Sequence, residues 1–248
     1  FEAVAEGVYA YRHDWVEGNC AIVFGPDGAA AVDGGGSLDD GRALAAFLRA
    51  RGHEPTRLVL THGHADHVWG AAPLAQGEVY AHDLTPGVMR SQVEAWAQRW
   101  QVEVGEAARR VPWPTATFSH ELRLHLGGER RLRLLRTPGH SADGIRVLVE
   151  DARVLIAGDC AATGIVPALG EGDGRTLEAS LRMLAEMELE ALIPGHGPVA
   201  RGADASCIDS SGNTALHYAA SRCFPELVQL LLATGARPDA VNKEYNTP

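Results

Sequence analysis

A dense group of metal-binding side chains follows a short apolar segment at residues 57–61. That segment reads Arg-Leu-Val-Leu-Thr, and His-Gly-His-Ala-Asp-His follows it at residues 62–67. Imidazole and carboxylate groups are preferred zinc ligands, and a loop leaving the end of a buried strand can aim several of them at one point. A polar helix start with Asp66 in its first turn is the structural alternative, but it gives no role to three histidines. The sequence therefore predicts a metal site at a strand end.

Three more residues of ligand type occur at similar positions later in the chain. His140 follows Thr-Pro-Gly, Asp159 follows Ala-Gly, and His196 lies between two glycines. Each comes after an apolar stretch, next to glycine or proline residues that redirect the backbone. Taken singly, each is typical of a turn. Together with the first group they make a set large enough for two metal ions about 3.5–4 Å apart. The set is His62, His64, Asp66, His67, His140, Asp159 and His196.

These motifs resemble the metallo-β-lactamase superfamily of hydrolases over residues 1–200. Val-Asp-Gly-Gly at residues 32–35, the His-x-His-x-Asp-His loop, His140, Asp159 and His196 occur in the order typical of that family. The resemblance implies an α/β fold, an αββα sandwich with the metals at one edge. It also implies two Zn²⁺ per chain, with iron as the alternative metal. In this family the matching residues divide into a first site of His62, His64 and His140, a second site of Asp66, His67 and His196, and a bridging Asp159.

The resemblance further implies the chemistry. A metal-bridging hydroxide would attack the carbonyl of a small-molecule ester, thioester or lactone, and Asp66 would be catalytic by orienting that nucleophile. Aspartate at position 159 favours the glyoxalase II, lactonase and thioesterase branches, because the zinc-cysteine β-lactamases carry cysteine there. Three alternatives stay open: a mononuclear iron persulfide dioxygenase, a β-lactamase-type enzyme, and a binding protein built on a hydrolase scaffold.

Residues around the ligand set have two interpretations each. Asp33 is either a partner of a ligand histidine or a strand-end turn residue. The segments 11–15 and 165–169 and Trp69 would suit an apolar acyl group, although ordinary packing explains them equally well. Cys160 is interpreted as a packed small residue, since strand alternation would point it away from the metals. The other histidines are interpreted as non-ligands: His13, His53, His82, His120, His125 and His217.

Turn residues and apolar periodicity predict a layered arrangement for residues 1–200. Hairpins are expected at residues 21–32, 122–135 and 145–157, where short apolar runs flank glycine or acidic turn residues. Helices are expected from Ser37 to about Arg51, from Gly87 to about Ala108, and from Leu177 to Met187. Repeated hairpins followed by helices favour a layered sandwich over a purely parallel sheet.

The composition changes near Arg201. Residues 1–200 contain no lysine and one asparagine, whereas residues 201–248 contain one lysine and three asparagines. Residues 209–220 and 226–236 resemble an ankyrin repeat, and residues 246–248 resemble the start of another, 33 residues after the first. We therefore predict a hydrolase domain at residues 1–200, a linker at 201–207 and a short all-α ankyrin-type repeat at 208–248.

A single ankyrin repeat cannot bury its apolar face alone, so further repeats, packing on the hydrolase or self-association are expected. The expected partners are a small-molecule substrate and a protein that contacts the ankyrin segment. The net charge of −10 argues against nucleic acid. Membrane insertion is not expected, because no run of about 18 apolar residues occurs. The chain starts at Phe1 without the basic and apolar regions of a leader, which leaves the location open, with the cytoplasm favoured.

Overall fold

Two β-sheets form the framework of the protein. The computed structural model describes residues 1–101, 103–163, 172–201, 217, 220 and 237–248. The first sheet has seven strands, arranged in sequence order. These strands are β1 Glu2–Ala5, β2 Val8–Arg12, β3 Asn19–Gly25, β4 Gly28–Val32, β5 Arg57–Val59, β6 Glu78–His82 and β7 Ala116–Phe118. Strands β1 to β4 are antiparallel neighbours, whereas β4 to β7 are parallel, so β4, β5 and β6 end at one edge.

The second sheet has six strands in the order β13-β12-β11-β10-β9-β8. These strands are β8 Glu121–His125, β9 Arg131–Arg136, β10 Ile145–Val149, β11 Val154–Ile156, β12 Ala191–Ile193 and β13 Ala200–Arg201. The β11 and β12 strands are parallel to each other, and the other neighbouring pairs are antiparallel. The ends of β9, β11 and β12 therefore lie at the same edge of this sheet.

Within residues 1–201, as far as the structure describes them, five α-helices accompany the sheets. Side chains alternate along each strand, so each sheet has two apolar faces. Val23 of β3 and Val147 of β10 belong to the core between the sheets. Ile22 of β3 faces the other way and packs with Leu44 and with the third helix. On the outer face of the second sheet, Leu155 of β11 packs against the helix Gly174–Ala185. The order helix, sheet, sheet, helix confirms the predicted αββα sandwich. The helices are α1 Leu38–Arg49, α2 Ala65–Val68, α3 Thr85–Trp100, α4 Val104–Ala108 and α5 Gly174–Ala185.

The helix predicted from Gly87 to Ala108 is in fact two helices, α3 and α4. Gln101 has the left-handed conformation, with φ 54° and ψ 41°, and its N–H bonds back to the carbonyls of Ala97 and Gln98. A left-handed residue after the last turn is a common way to end a helix, usually with glycine. Glutamine takes that role here. Residues 101–103 contain neither glycine nor proline, so the sequence does not mark the break between the two helices.

Helix α1 begins with a capping box. Ser37 Oγ accepts the N–H of Asp40 at 3.2 Å, and Asp40 Oδ2 accepts the N–H of Ser37 at 2.9 Å. We expect Ser37→Ala to lower the free energy of unfolding by about 1 kcal/mol, because the Asp40 N–H loses its Oγ acceptor while the Ser37 N–H keeps its bond to Asp40. The matched control is Ser91→Ala inside α3, which should change it by less than about 0.5 kcal/mol. Urea unfolding of both variants tests the difference, and equal losses would contradict the capping role.

The C-terminal segment is described at a few positions. The Nε2 atom of His217 lies 3.0 Å from the carbonyl oxygen of Asn246. Arg201, predicted as the first linker residue, instead ends β13, where it pairs with Ala191 and bonds Glu2 Oε1 at 2.6 Å. Residues 202–207 and most of the ankyrin segment lie outside the described residues, so their boundaries stay predictions. No helix within the described ranges is long and apolar enough to cross a membrane.

Candidate metal centre

Residues that follow strand ends in both sheets converge at one edge of the sandwich. His62 follows β5, Asp159 follows β11, His196 follows β12, and His140 lies in the loop between β9 and β10. Because these strands finish at the same edge, their loops face one another. All seven residues predicted as ligands lie in this cluster, and their donor atoms form three overlapping groups whose members lie within 4.8 Å of one another.

The first group consists of three histidines. His62 Nε2 lies 3.1 Å from His64 Nδ1, and His140 Nε2 lies 2.9 Å from the same atom. Two nitrogens bound tetrahedrally to one zinc ion at 2.0–2.1 Å would be about 3.3–3.4 Å apart. The spacing of the three nitrogens is therefore close to that of a metal-binding triad. One proton cannot satisfy three nitrogen lone pairs, whereas one cation can.

The second group consists of Asp66, His67 and His196. His196 Nε2 lies 3.3 Å from Asp66 Oδ2, and His67 Nε2 lies 3.9 Å from that oxygen. The side chain of His67 has no exposed surface, whereas that of Asp66 keeps 20% of its surface exposed. The Asp66 side of the cluster therefore faces solvent.

Asp159 lies between the two groups. Its Oδ2 atom is 3.3 Å from His140 Nε2 and 3.2 Å from His196 Nε2, and its Oδ1 atom is 3.1 Å from His67 Nε2. A single carboxylate thus contacts donor nitrogens of both groups. Residue 195 must be glycine for this approach, because a Cβ atom there would lie 2.0 Å from Asp159 Oδ1.

Hydrogen bonds on the outer side of two histidines fix which nitrogen faces the cluster. His67 Nδ1 lies 2.9 Å from Asp33 Oδ2, an acceptor, so Nδ1 carries the hydrogen. The Thr61 hydroxyl donates to Asp33 Oδ2 at 2.7 Å and therefore accepts from His62 Nδ1 at 3.1 Å. In the neutral form of both rings, the Nε2 lone pair is left for the cluster. Of the two interpretations of Asp33, the structure shows the contact with a ligand-type histidine.

His196 has a main-chain partner instead. Its Nδ1 atom lies 2.9 Å from the carbonyl oxygen of Val16, in the loop between β2 and β3. A carbonyl oxygen only accepts, so this ring also presents its Nε2 lone pair to the cluster.

Two buried atoms of the cluster lack hydrogen bonds to any described residue. They are His67 Nε2 and Asp159 Oδ1, which lie 3.1 Å apart without hydrogen-bond geometry. A buried polar atom without a partner is costly, and a cation between such atoms would satisfy them. With the tautomers and spacings described above, the residues present fit a divalent metal centre.

Burial and charge separate the pKa values within the cluster. Burial, reinforced by neighbouring His67, lowers the pKa of His62 well below its usual value. Burial acts in the same direction on His67, but the surrounding carboxylates, Asp159 above all, outweigh it and raise its pKa well above the usual value. Asp159 likewise outweighs burial at His196 and raises its pKa. Burial would raise the pKa of Asp159, but the histidines, led by His67, lower it well below the usual value.

These directions predict proton release on metal binding. We expect Zn²⁺ loading to release protons from His67 and His196, because both have raised pKa values and must deprotonate to coordinate a metal. His62, whose pKa is lowered, should release none. Calorimetric titration of metal-stripped protein with Zn²⁺, in buffers of different ionisation enthalpy, measures the number of protons released per chain. Release should decline as the pH rises through the raised pKa values, and a number that does not change with pH would contradict this assignment.

Two groups that support the cluster have no place among the sequence predictions. Asp143, fully buried, accepts the N–H of Gly63 at 2.9 Å and so holds the peptide between His62 and His64. An acidic residue three positions after His140 was a usable signal for it. The Val16 carbonyl had no such signal, because every residue carries one.

Histidines interpreted as non-ligands lie outside the three donor groups. His82 Nε2 lies 2.9 Å from the Ser119 carbonyl, and its Nδ1 accepts the N–H of Leu84, so both ring nitrogens have other partners. His13 is buried and packs against Gly18, where a Cβ atom would lie 2.3 Å from its ring.

The other flanking residues are largely packed. The Cys160 side chain is buried, which raises the pKa of its thiol to about 12. Trp15 and Trp69 both contact Trp96 of α3, with ring centroids 5.6 and 5.7 Å apart. The predicted segment 165–169 lies outside the described residues.

Comparison with known proteins assigns the chain to a family. The metallo-beta-lactamase superfamily matches residues 13–196, and the ankyrin repeat matches residues 211–243. The chain therefore belongs to the metallo-beta-lactamase superfamily and carries an ankyrin repeat, as predicted.

Its relatives include hydrolases. The chain is 25% identical to the probable metallo-hydrolase YqgX of Bacillus subtilis over 193 residues, which are 74% of this chain and 86% of YqgX. It is 30% identical to thioesterase pkgB of Emericella nidulans over 151 residues, 57% of this chain and 34% of pkgB. The crystal structure of TTHA1623 in a di-iron-bound form has 27% identity and a TM-score of 0.63, covering 78% of this chain and 94% of that one. The chain spans between 34% and 49% of the length of several curated relatives.

Proposed function

We propose that this protein is a dinuclear zinc hydrolase that cleaves a small ester, thioester or lactone. The observation that carries the proposal is the position of Asp159, whose carboxylate contacts donor nitrogens of both groups within a cluster of seven ligand-type side chains. A cluster of this kind suits two ions rather than one. The match to relatives described as a metallo-hydrolase and a thioesterase supports hydrolysis.

The donor set suits zinc. Its donors are imidazole nitrogens and carboxylate oxygens without thiolate, which suit zinc and also iron. Divalent cations in such a centre supply Lewis acidity and lower the pKa of water towards 7. His62, His64 and His140 would hold the first ion, Asp66, His67 and His196 the second, and Asp159 both.

We assign to Asp66 the orientation of the attacking water. Its side chain is the most exposed in the second group, at 20% against 8% for His196 and none for His67. Substrate and water therefore reach this carboxylate first. A carboxylate oxygen at that point can accept a hydrogen bond from water and take up its proton. Asp159, at 9% exposure, lies deeper and serves to hold the metals.

A water nucleophile also agrees with the state of the described thiols. Cys20 and Cys160 are both buried, and burial raises the pKa of each thiol. A thiol with a raised pKa holds little thiolate at neutral pH, and thiolate is the nucleophilic form. Covalent catalysis by these two cysteines is therefore disfavoured.

The acyl part of the substrate would lie beside tryptophan side chains. Trp15 is adjacent to the residue whose carbonyl contacts His196, and Trp69 directly follows the helix that carries Asp66. Both rings pack on Trp96. Since aromatic walls are common in pockets for apolar groups, we propose an acyl group with apolar character.

Iron is the alternative metal, supported by the di-iron form of the similar protein TTHA1623. With iron, oxidation of a persulfide is the competing activity. We further propose that the ankyrin segment binds a protein, because ankyrin repeats present contact surfaces and none of the described residues of this segment belongs to the cluster.

Metal content and activity together test the proposal. We expect about two zinc ions per chain by elemental analysis, and hydrolysis of at least one compound in a panel of esters, thioesters and lactones. Chelation should abolish turnover and Zn²⁺ should restore it. A β-lactam serves as the comparison substrate. Iron with persulfide-dependent oxygen consumption would overturn the hydrolase assignment, and a protein that stays metal-free in metal-replete buffer would overturn both activities.

A further inference from the structure

One side of the cluster is held by a segment that contributes no ligand. The loop of residues 13–18 joins β2 to β3, and the His196 turn, residues 194–197, follows β12. Gly18 forms a strand bridge with His196, and the N–H of Gly197 donates to the carbonyl of Glu17 at 3.0 Å. The Val16 carbonyl accepts from His196 Nδ1 at 2.9 Å. Two segments about 180 residues apart in sequence are thus joined at the second group.

Asn19, the residue after this loop, bonds the His196 turn through both its side chain and its main chain. Its side chain is buried, and its Nδ2 group donates to the Pro194 carbonyl at 3.0 Å and to the Gly197 carbonyl at 2.7 Å. Its main-chain N–H donates to the Gly195 carbonyl at 2.8 Å. The two hydrogens of one amide group therefore bond the first and last residues of the His196 turn. A carboxylate has no hydrogen to donate, and an apolar side chain would leave both carbonyls unsatisfied.

The backbone of the loop is strained at the point where it meets the histidine. Val16 and Glu17 have φ of 53° and 52°, the left-handed region that β-branched residues rarely enter. The Val16 side chain is 55% exposed, so packing does not account for this conformation. Its effect is to direct the Val16 carbonyl at His196 Nδ1. Strain of this kind persists where surrounding bonds impose it, and here His196 Nδ1 and the Gly197 N–H bond the Val16 and Glu17 carbonyls.

We propose that Asn19 is a positioning residue for the second metal. By closing the His196 turn against the loop of residues 13–18, it aims His196 Nε2 at Asp66 and sets the affinity of the second site far more than that of the first. The three histidines of the first group bond one another, and this turn reaches them only through Asp159, which is why the effect falls mainly on the second site. The inference rests on the proposed function, since it assumes that the cluster binds two metals.

The test is a stepwise metal titration of Asn19→Asp. We expect the dissociation constant of the second metal to rise by about 10–100-fold and that of the first to stay within about twofold, because loss of an outer partner weakens its ligand. Metal-stripped full-length protein is titrated with Zn²⁺ against a competing chelator, and with Co²⁺, whose absorption reports each site. Hydrolysis at low Zn²⁺ should fall and recover at high Zn²⁺.

The matched control is Asn242→Asp, the same chemical change in the C-terminal segment. Asn242 uses its Oδ1 atom as an acceptor for the N–H groups of Glu244 and Asn246, a role that a carboxylate retains. Its titration should match that of the unmodified protein. Asn19→Ser keeps one hydrogen-bond donor and serves as the test should Asn19→Asp fail to fold. We expect it to raise the dissociation constant of the second metal by a smaller factor.

Unchanged affinity for the second metal in the Asn19 variants would overturn the role of Asn19 but not the dinuclear proposal. An equal loss of affinity for both metals would have the same meaning. An unmodified protein that binds no second metal would overturn the dinuclear proposal itself, so the two failures are distinguishable.

Discussion

Asp159→Ala is expected to reduce kcat/KM for the best ester, thioester or lactone by well over about 100-fold, since loss of a mere outer partner already costs 10–100-fold. Bound metal should fall from two ions per chain to one or none. The reason is geometric, because the carboxylate contacts His140 and His196 through Oδ2 and His67 through Oδ1. If Asp159 bridges two metals as proposed, its removal would take a ligand from both sites at once and leave the Nε2 atoms without the carboxylate charge. Elemental analysis and steady-state kinetics measure the two losses.

Asp151→Ala is the matched control for this prediction. Asp151 lies in the turn before β11, at the end of that strand opposite Asp159, and pairs with Arg130 at 2.9 Å. The control should keep both metals and full activity. Near-ultraviolet circular dichroism establishes that each variant keeps its packed core. A folded Asp159→Ala protein that retains two metals would refute the bridging role.

Most of the fold could be predicted from local sequence, because local chemistry determines these elements. The hairpin of β3 and β4 turns at Pro26-Asp27 between Gly25 and Gly28, residues that favour tight turns. Helix α1 begins after Ser37, where the cap was expected. Alternating apolar residues then assign each face of a strand to one layer, and the αββα order follows.

The elements that escaped prediction depend on backbone conformations without a sequence marker. Gln101 ends α3 in the left-handed region, and Val16 enters the same region beside His196. Neither residue type favours that conformation, so propensity gives the opposite expectation. At Val16 a bond to His196, 180 residues away, accompanies this conformation, whereas at Gln101 the bonds to Ala97 and Gln98 are local but carry no marker in the residue type.

The same distinction applies to the cluster. Ligand-type residues could be predicted as a set because histidine and aspartate are dense and follow strand ends. Asn19 could not be assigned in this way, since its partner Pro194 lies 175 residues away in sequence. Asp143 has a signal in its position three residues after His140, but its bond to Gly63, 80 residues away, depends on the fold. Each is an ordinary polar residue until the fold brings its partner close.

Asp33→Ala is expected to lower the free energy of unfolding of the metal-stripped protein by about 2–4 kcal/mol, because it removes the acceptor of three buried donors. Asp33 accepts the Thr61 N–H at 2.8 Å through Oδ1, and the Thr61 hydroxyl and His67 Nδ1 through Oδ2. Its φ of 60° adds strain, since aspartate tolerates the left-handed region better than alanine. Urea unfolding of the stripped variant measures the loss.

Asp33→Asn separates stability from metal binding. Asparagine keeps the volume, the backbone conformation and an acceptor for the Thr61 N–H, so we expect a smaller stability loss than with alanine. Its amide group would face His67 Nδ1, which must then accept, and the ring hydrogen moves to Nε2, where the metal would bind. The Thr61 hydroxyl must also turn and donate to His62, with the same consequence for that ring. We therefore expect both metals to bind at least about 10-fold more weakly. Unchanged affinity for both metals in a folded Asp33→Asn protein would show that Asp33 supports the fold without controlling which nitrogens face the cluster.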